Sequence, residues 1–430
     1  MPLLRIIPPG SAALSRSDVL DEATLRTATE IINAVRTQGE PALRRFGHQF
    51  GDLPPTSDPA KNLPLLLTKH HFAAACARVG PSVCSLLQRV ATRITTFAAA
   101  QRSALHNLQI PVPGGTAGHT IAPVARAACY APGGRYPLPS SVLMTALTAR
   151  AAGVPEVFVL SPKPSDIVLA AASIAGADAL LPLGGAHAIA AAAYGVGLPR
   201  CDVVVGPGNR FVTAAKKLLL GTIGIDMLAG PSEVLIIADD SASPRLIAAD
   251  LLAQAEHDTD AAAIVLVTCP QLLAQIECEL ASQLATLPTA STASAAIASN
   301  SFACLCHSMQ QATDLASQLA PEHLEIHTRD PAAVAAQVSS YGAVFIGPAA
   351  AEVLGDYGIG PNHTLPTSGT ARFASGLCVN HFLRWRTFVQ IDDPAAAAEI
   401  YQDSIALARL EGLEAHARAA ELRTIPDQIY

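Results

Sequence analysis

Four stretches of the chain gather side chains able to hold a divalent metal or move a proton. Gln254-Ala255-Glu256-His257-Asp258 offers an amide oxygen, an imidazole and carboxylates in one short run. On a helix, Ile247, Leu251, Gln254 and His257 follow at spacings of four, three and three, so Gln254 and His257 continue one inward face. Imidazole is a common zinc ligand and a glutamine oxygen an unusual one; the plain structural reading is a histidine favoured by the helix C-terminal dipole. Pro321-Glu322-His323-Leu324 sets a carboxylate beside an imidazole just before a strand. Neighbours diverge in regular structure, so the two share a site only at a strand end or in a loop; otherwise they are a surface acid and a capping histidine. Residues 355–366 place Asp356 and His363 among glycine and proline, which shape an irregular backbone. Glu411-Gly412-Leu413-Glu414-Ala415-His416 interrupts a terminal helix.

Glycine turns form a second group. Gly133-Gly134, Gly184-Gly185 and Gly206-Pro207-Gly208-Asn209 each follow a short apolar run. A tight turn between strand and helix can present backbone donors to phosphate. The full G-x-G-x-x-G fingerprint is missing, so simple chain reversal stands as the alternative.

These groups must be positioned by elements that the pattern makes legible. Strands are expected at 127–131, 157–160, 179–182, 201–205, 234–238, 262–267, 301–305, 324–327 and 343–346. Helices are expected at 140–152, 166–175, 186–194, 211–220, 270–284 and near 330–339, with another running from a Ser243-Pro244 cap to about 257. Alternation at this spacing predicts an α/β fold with parallel sheets and helical crossovers, as two incomplete doubly wound units. The first 105 residues read as largely helical, with periodic segments at 25–37 and 73–100; a Pro/Gly-rich stretch spans 50–64. Asp393-Pro394 opens a largely helical tail.

Composition sets the limits. The 430 residues suffice for roughly two to four domains. Half are hydrophobic and only 15% are charged, so the surface is small for the interior and subunit contact is expected. A net charge of -7 and scattered lysines exclude a nucleic-acid partner. No apolar run is long enough to span a membrane. Pro8 and Pro9, followed by charges, do not read as a secretory leader. The nine cysteines are odd in number and lack repeated CxxC spacing, which predicts free thiols in a reducing cytoplasm.

Taken in order along the chain, the motifs resemble the histidinol dehydrogenase family. They are Tyr130-Ala131-Pro132-Gly133-Gly134, Gly184-Gly185-Ala186-His187-Ala188-Ile189-Ala190, Gly206-Pro207-Gly208-Asn209, Gly230-Pro231-Ser232-Glu233, Gln254-Ala255-Glu256-His257, Pro321-Glu322-His323-Leu324, Gly355-Asp356-Tyr357, Asn362-His363-Thr364-Leu365-Pro366-Thr367 and Glu411-x-Leu413-x-Ala415-His416. The resemblance covers nearly the whole chain. It implies one zinc ion per subunit held by Gln254, His257, Asp356 and His416. It implies oxidation of L-histidinol through L-histidinaldehyde to L-histidine with two NAD in succession. His323 matches the base and Glu322 the group that activates water; Ser232, His363 and Glu411, with His323 and the metal ligands, match substrate contacts. Tyr130, His187 and Asn209 match cofactor positions, although the family usually carries glutamine where His187 stands. The resemblance further implies two Rossmann-like domains, 26–129 with 232–378 and 130–231, between an N-terminal extension 1–25 and a helical C-terminal region 379–430. That last region is expected to complete the partner's site in a homodimer. Two other readings stand beside this one: a related dehydrogenase acting on another alcohol, such as a sulfonated diol with His119, Arg135 and His187 as a positive edge, and a non-enzymatic binding protein.

Overall fold

The computed structural model describes residues 2–11, 20–54, 65–133 and 136–424. Gly134 and Arg135, and residues 55–64 of the Pro/Gly-rich stretch, lie outside the described residues. Two compact units are distinguished: Met1–Ala100 with Val124–Phe382, and Gln101–Pro123 with Leu383–Tyr430.

The first unit contains two six-stranded sheets. One runs in the order Arg5–Ile6, Phe302–Leu305, Ala262–Val267, Glu233–Ala238, His323–His327 and Ala343–Ile346, all parallel. Its strands Phe302–Leu305, Ala262–Val267 and Glu233–Ala238 are near-continuous apolar runs because helices cover both faces, whereas His323–His327 alternates histidine and glutamate with leucine and isoleucine. Leu251, Leu252, Ile276 and Leu280 pack with Ile236 and Val265 in one cluster, and Leu315, Ala316 and Val334 with Leu235 and Ile237 in the other. The helix Pro244–Ala255 has proline in its first turn as expected, but the Ser243 side chain makes no capping bond.

The other sheet runs Leu67–Thr68, Ala179–Leu181, Glu156–Leu160, Arg126–Tyr130, Val203–Val205 and Gly224–Ile225. It is parallel apart from the short antiparallel strand Leu67–Thr68. Residues 67–68 and 126–129, grouped with 232–378 in the sequence division, pair in this sheet. The alanine-rich helix Gly185–Tyr194 is buried almost throughout, because small side chains let it approach its neighbours closely. The helical lead-in comprises Glu22–Gln38, Glu40–Gln49 and Lys69–Ser103, the last broken at Gly80 (φ 83°) before Pro81.

The second unit holds a three-stranded antiparallel sheet, Leu383–Ile391, Gly115–Pro123 and Leu108–Val112, that the strand pattern did not reveal. The region 379–430, expected to be helical, therefore holds a nine-residue strand before its helices Ala398–Leu410 and Glu414–Glu421. Leu383-Arg384-Trp385-Arg386-Thr387-Phe388-Val389-Gln390-Ile391 is rich in aromatic and β-branched residues that suit a pleated surface. The protein is thus α/β, with parallel and antiparallel sheets and helical extensions. No helix among the described residues is long and apolar enough to cross a membrane.

Candidate active site

The strands Glu233–Ala238 and His323–His327 start side by side, with Val234 opposite His323. Backbone donors at this edge are satisfied by carboxylates. The Glu233 N–H donates to Glu322 Oε2 at 2.9 Å, the Glu322 N–H donates to Glu233 Oε1 at 3.1 Å, and the Ser368 N–H donates to the same Oε1 at 3.1 Å. Glu322 and His323 therefore meet the condition that adjacent residues share a site at a strand end. Both are buried. His323 Nδ1 lies 3.1 Å from the Glu233 carbonyl oxygen, which can only accept; the proton sits on Nδ1 and Nε2 remains a base. Burial pushes the imidazole down to about 4, with the Asp356 charge opposing it, so the ring is neutral at neutral pH.

Gln254 lies in the last turn of Pro244–Ala255, fully buried on the face it shares with Ile247 and Leu251. Neither its amide oxygen nor its nitrogen has a hydrogen-bond partner among the described residues. His257 lies beyond the helix end, where its side chain is 41% exposed and Nε2 stands 3.5 Å from Asp356 Oδ2. Asp356 ends the short helix Val353–Asp356. Hydrogen bonding to Asp356 raises His257 above the usual imidazole value against its burial. Burial pushes the Asp356 carboxyl up, but the bond to His257 and the neighbouring imidazoles of His363, His323 and His257 bring it below its ordinary value.

Glu352 joins this group and was not singled out in the sequence. One ligand atom each from His257, Glu352 and Asp356 lies within 4.8 Å of the others. The Glu352 carboxylate is buried with no hydrogen-bond partner among the described residues, its Oε1 3.6 Å from His323 Nδ1, and burial, with Asp356, Glu325 and Asp250, holds it well above the carboxylate range. Its place four residues before Asp356, one helical turn, was the available signal. A buried amide and carboxylate with no hydrogen bond among the described residues, beside an Asp–His pair, are a donor set that fits a divalent metal.

His363 is set by its neighbour: Asn362 Nδ2 donates to the Met144 carbonyl at 2.8 Å and to Thr148 Oγ1 at 3.1 Å, while Asn362 Oδ1 accepts from the Thr364 N–H at 3.0 Å. His363 Nε2 is buried with no hydrogen-bond partner among the described residues, and burial lowers the imidazole while Asp356 opposes it. Ser232 is half-buried immediately before the strand Glu233–Ala238.

A second group lies at strand ends of the other sheet. Tyr130 ends Arg126–Tyr130, is buried, and its hydroxyl accepts from the Gly185 N–H at 3.2 Å; burial raises the phenol to about 12. The Gly184 N–H donates to Asp52 Oδ2 at 2.8 Å, and His187 Nε2 lies 3.2 Å from the same oxygen. His187 is buried and stacks on Phe50 at 5.6 Å between ring centroids. Asn209 caps the helix Arg210–Leu219 through Oδ1, accepting from Phe211 and Val212 at 3.0 and 3.2 Å. Gly206 has φ +114°, and a Cβ there would stand 2.1 Å from the Tyr130 carbonyl oxygen, so the turn requires glycine. Lys216 donates to the Gly206 carbonyl at 3.0 Å and pairs with Asp226, whose Oδ2 accepts the Gly206 N–H at 2.7 Å.

Glu411 and His416 belong to the second unit. Glu411 follows Ala398–Leu410, His416 lies in Glu414–Glu421, and both are exposed.

The family model for histidinol dehydrogenase matches residues 14–424. The chain belongs to the histidinol dehydrogenase family. It is 40% identical over 420 residues to the histidinol dehydrogenase of Pseudomonas fluorescens, covering 96% of this chain and 94% of that one. It is 44% identical over 395 residues to the histidinol dehydrogenase of Thermus thermophilus, covering 91% and 93%. The crystal structure of histidinol dehydrogenase from Elizabethkingia anophelis superposes with a TM-score of 0.89 at 30% identity, covering 98% of both chains.

Proposed function

We propose that this chain oxidises L-histidinol through L-histidinaldehyde to L-histidine, passing four electrons to two NAD in succession. The observation that carries the reading is His323: buried, neutral, its Nδ1 proton held by the Glu233 carbonyl, beside Glu322 and the His257–Glu352–Asp356 group. Nε2 takes the proton of the alcohol, and burial keeps water from competing for it. Glu322, oriented by the Glu233 N–H, then takes a proton from the water that attacks the aldehyde carbon. When bound, zinc supplies an electrophilic anchor for the substrate amine and imidazole, and NAD takes up hydride. Gln254, His257, Asp356 and His416 would hold one zinc per subunit. Ser232, His363 and Glu411 position the substrate, and Tyr130, His187 and Asn209 lie on the dinucleotide side.

We read the parallel sheets as two incomplete Rossmann-like units. The one within 130–231, joined by the strand Arg126–Tyr130, serves the dinucleotide, and residues 232–378 serve the chemistry. The exposed Glu411 and His416 support a homodimer in which region 379–430 completes the partner's site.

Zinc-loaded protein should form two NADH and one histidine per L-histidinol, with kcat/KM at least about tenfold higher than for sulfonated diols, a difference of about 1.4 kcal/mol. Glu411 repels an anionic group, which is the reason for this direction. In Glu322→Gln, single-turnover oxidation of the aldehyde should slow more than that of the alcohol. Preference for the diol rejects the substrate; unchanged aldehyde oxidation rejects the role of Glu322.

A further inference from the structure

The strand His323–His327 carries His323, Glu325 and His327 on one side at its period of two. Glu325 is fully buried and has two arms. Its Oε1 accepts the Glu352 backbone N–H at 2.7 Å, where the chain enters the helix Val353–Asp356. Its Oε2 lies 3.3 Å from His327 Nε2, which in turn lies 3.8 Å from Asp250 Oδ2. Asp250 sits on Pro244–Ala255, four residues before Gln254 and seven before His257. One carboxylate thus reaches all three elements that bring His323, the Gln254–His257 pair and Asp356 together.

We infer that Glu325 is a positioning residue, tying the elements that carry the base and the metal-binding groups into one geometry. This rests on the proposed roles of those groups, through which Glu325 acts. The hydrogen-bonded arm to Glu352 is the stronger of the two, because a carboxylate accepting a buried N–H at 2.7 Å is charge-assisted, whereas the 3.8 Å separation of His327 from Asp250 is beyond hydrogen-bonding distance. Losing that arm leaves the Glu352 N–H without its acceptor and frees the turn that sets Asp356. Groups behind a metal ligand typically change metal affinity by roughly 10–100-fold when removed.

The test compares Glu325→Leu, which keeps bulk but loses both arms, with Glu325→Gln, which keeps an acceptor for the Glu352 N–H. Each protein is titrated with zinc against a competing chelator and assayed with L-histidinol and NAD. Hydrogen exchange of the peptide 350–356 is followed in metal-free protein. E325L should bind zinc about tenfold or more weakly, lose kcat with an unchanged KM for NAD, and exchange faster at 350–356; E325Q should recover most of each. Folded E325L with zinc affinity, kcat and exchange within about twofold of wild type, set by normal scatter for a neutral change, overturns the role. Equal damage in E325L and E325Q overturns it too, by making charge rather than the hydrogen bond responsible. If E325L does not fold, E325Q with His327→Leu decides: the role requires near-normal exchange in the former and weaker zinc binding in the latter, and any other pair of results rejects it. His257→Ala serves as control. Should it keep its zinc, the ligand assignment fails separately, and the kcat and exchange results still judge Glu325.

Discussion

The two parallel sheets of the first unit present their candidate groups at opposite ends of their strands. Tyr130, the Gly184-Gly185 turn and the Gly206-to-Asn209 turn follow the carboxyl ends of Arg126–Tyr130, Ala179–Leu181 and Val203–Val205. Glu233 and His323 stand at the amino ends of Glu233–Ala238 and His323–His327. In a parallel sheet with crossover helices, the carboxyl edge receives helix N-termini and the amino edge helix C-termini. The helices Gly185–Tyr194 and Arg210–Leu219 begin at the first edge, which suits an anion such as a pyrophosphate. Pro244–Ala255 ends at Gln254 and Ala255 at the second, where carbonyl oxygens suit a cation. The strand-end rule for open α/β sheets thus points to the proposed dinucleotide side but not to the proposed metal side. Backbone polarity separates the two tasks before any side chain is considered.

The sharpest way to break this comparison is to remove one edge and examine the other. His257→Ala or His416→Ala should release zinc by elemental analysis and lower kcat by at least about 100-fold, the upper end for groups supporting a metal. NAD affinity by calorimetry should stay within about twofold, because none of the groups proposed to hold the zinc is among those proposed to hold the dinucleotide. Loss of NAD binding along with zinc would show one site rather than two edges. Heterodimers of H257A and H416A should regain activity, since one combined site then holds both histidines; demonstrated heterodimers that stay inactive despite an ample zinc supply would return the tail to its own chain.

A smaller effect is expected from Asn209→Ala, which removes the cap from Arg210–Leu219. Stability should fall by about 1 kcal/mol and the KM for NAD should rise, while zinc content is unchanged. A reduced zinc content in this variant would contradict the division of labour. The smallest effect concerns Asp250, whose burial, with the Glu325 charge, raises its carboxyl from 3.8 to about 7. The folded chain therefore binds this proton more tightly than the unfolded chain, and the stabilisation is lost as pH rises through about 7. Asp250→Asn should narrow the difference in Tm between pH 5 and pH 8; an unchanged difference would mean that Asp250 does not hold a proton in the folded state.

What the sequence determined by itself is the set of elements and motifs whose information is local. The expected strand 262–267 coincides with Ala262–Val267, because a strand covered on both faces must be apolar throughout, and 343–346 coincides with the half-buried edge strand Ala343–Ile346, a short apolar run rich in β-branched and aromatic residues. The motif residues Gln254, His257, Glu322, His323, Asp356 and His363 were likewise legible, and the inward face of Gln254 followed from helical spacing. Tertiary structure decided the rest, because it depends on contacts between residues far apart in the chain. Leu383–Ile391 pairs with Gly115–Pro123, a partner more than 250 residues away whose own pattern is broken by glycine and proline. Glu233 entered the reading only as the end of a motif, yet across 89 residues it exchanges hydrogen bonds with Glu322, and its carbonyl sets the His323 tautomer. Glu325 and Glu352 belong to no motif. Their burial beside one another follows from the register of three packed elements, and a buried carboxylate acquires its role only from the donors that folding brings to it.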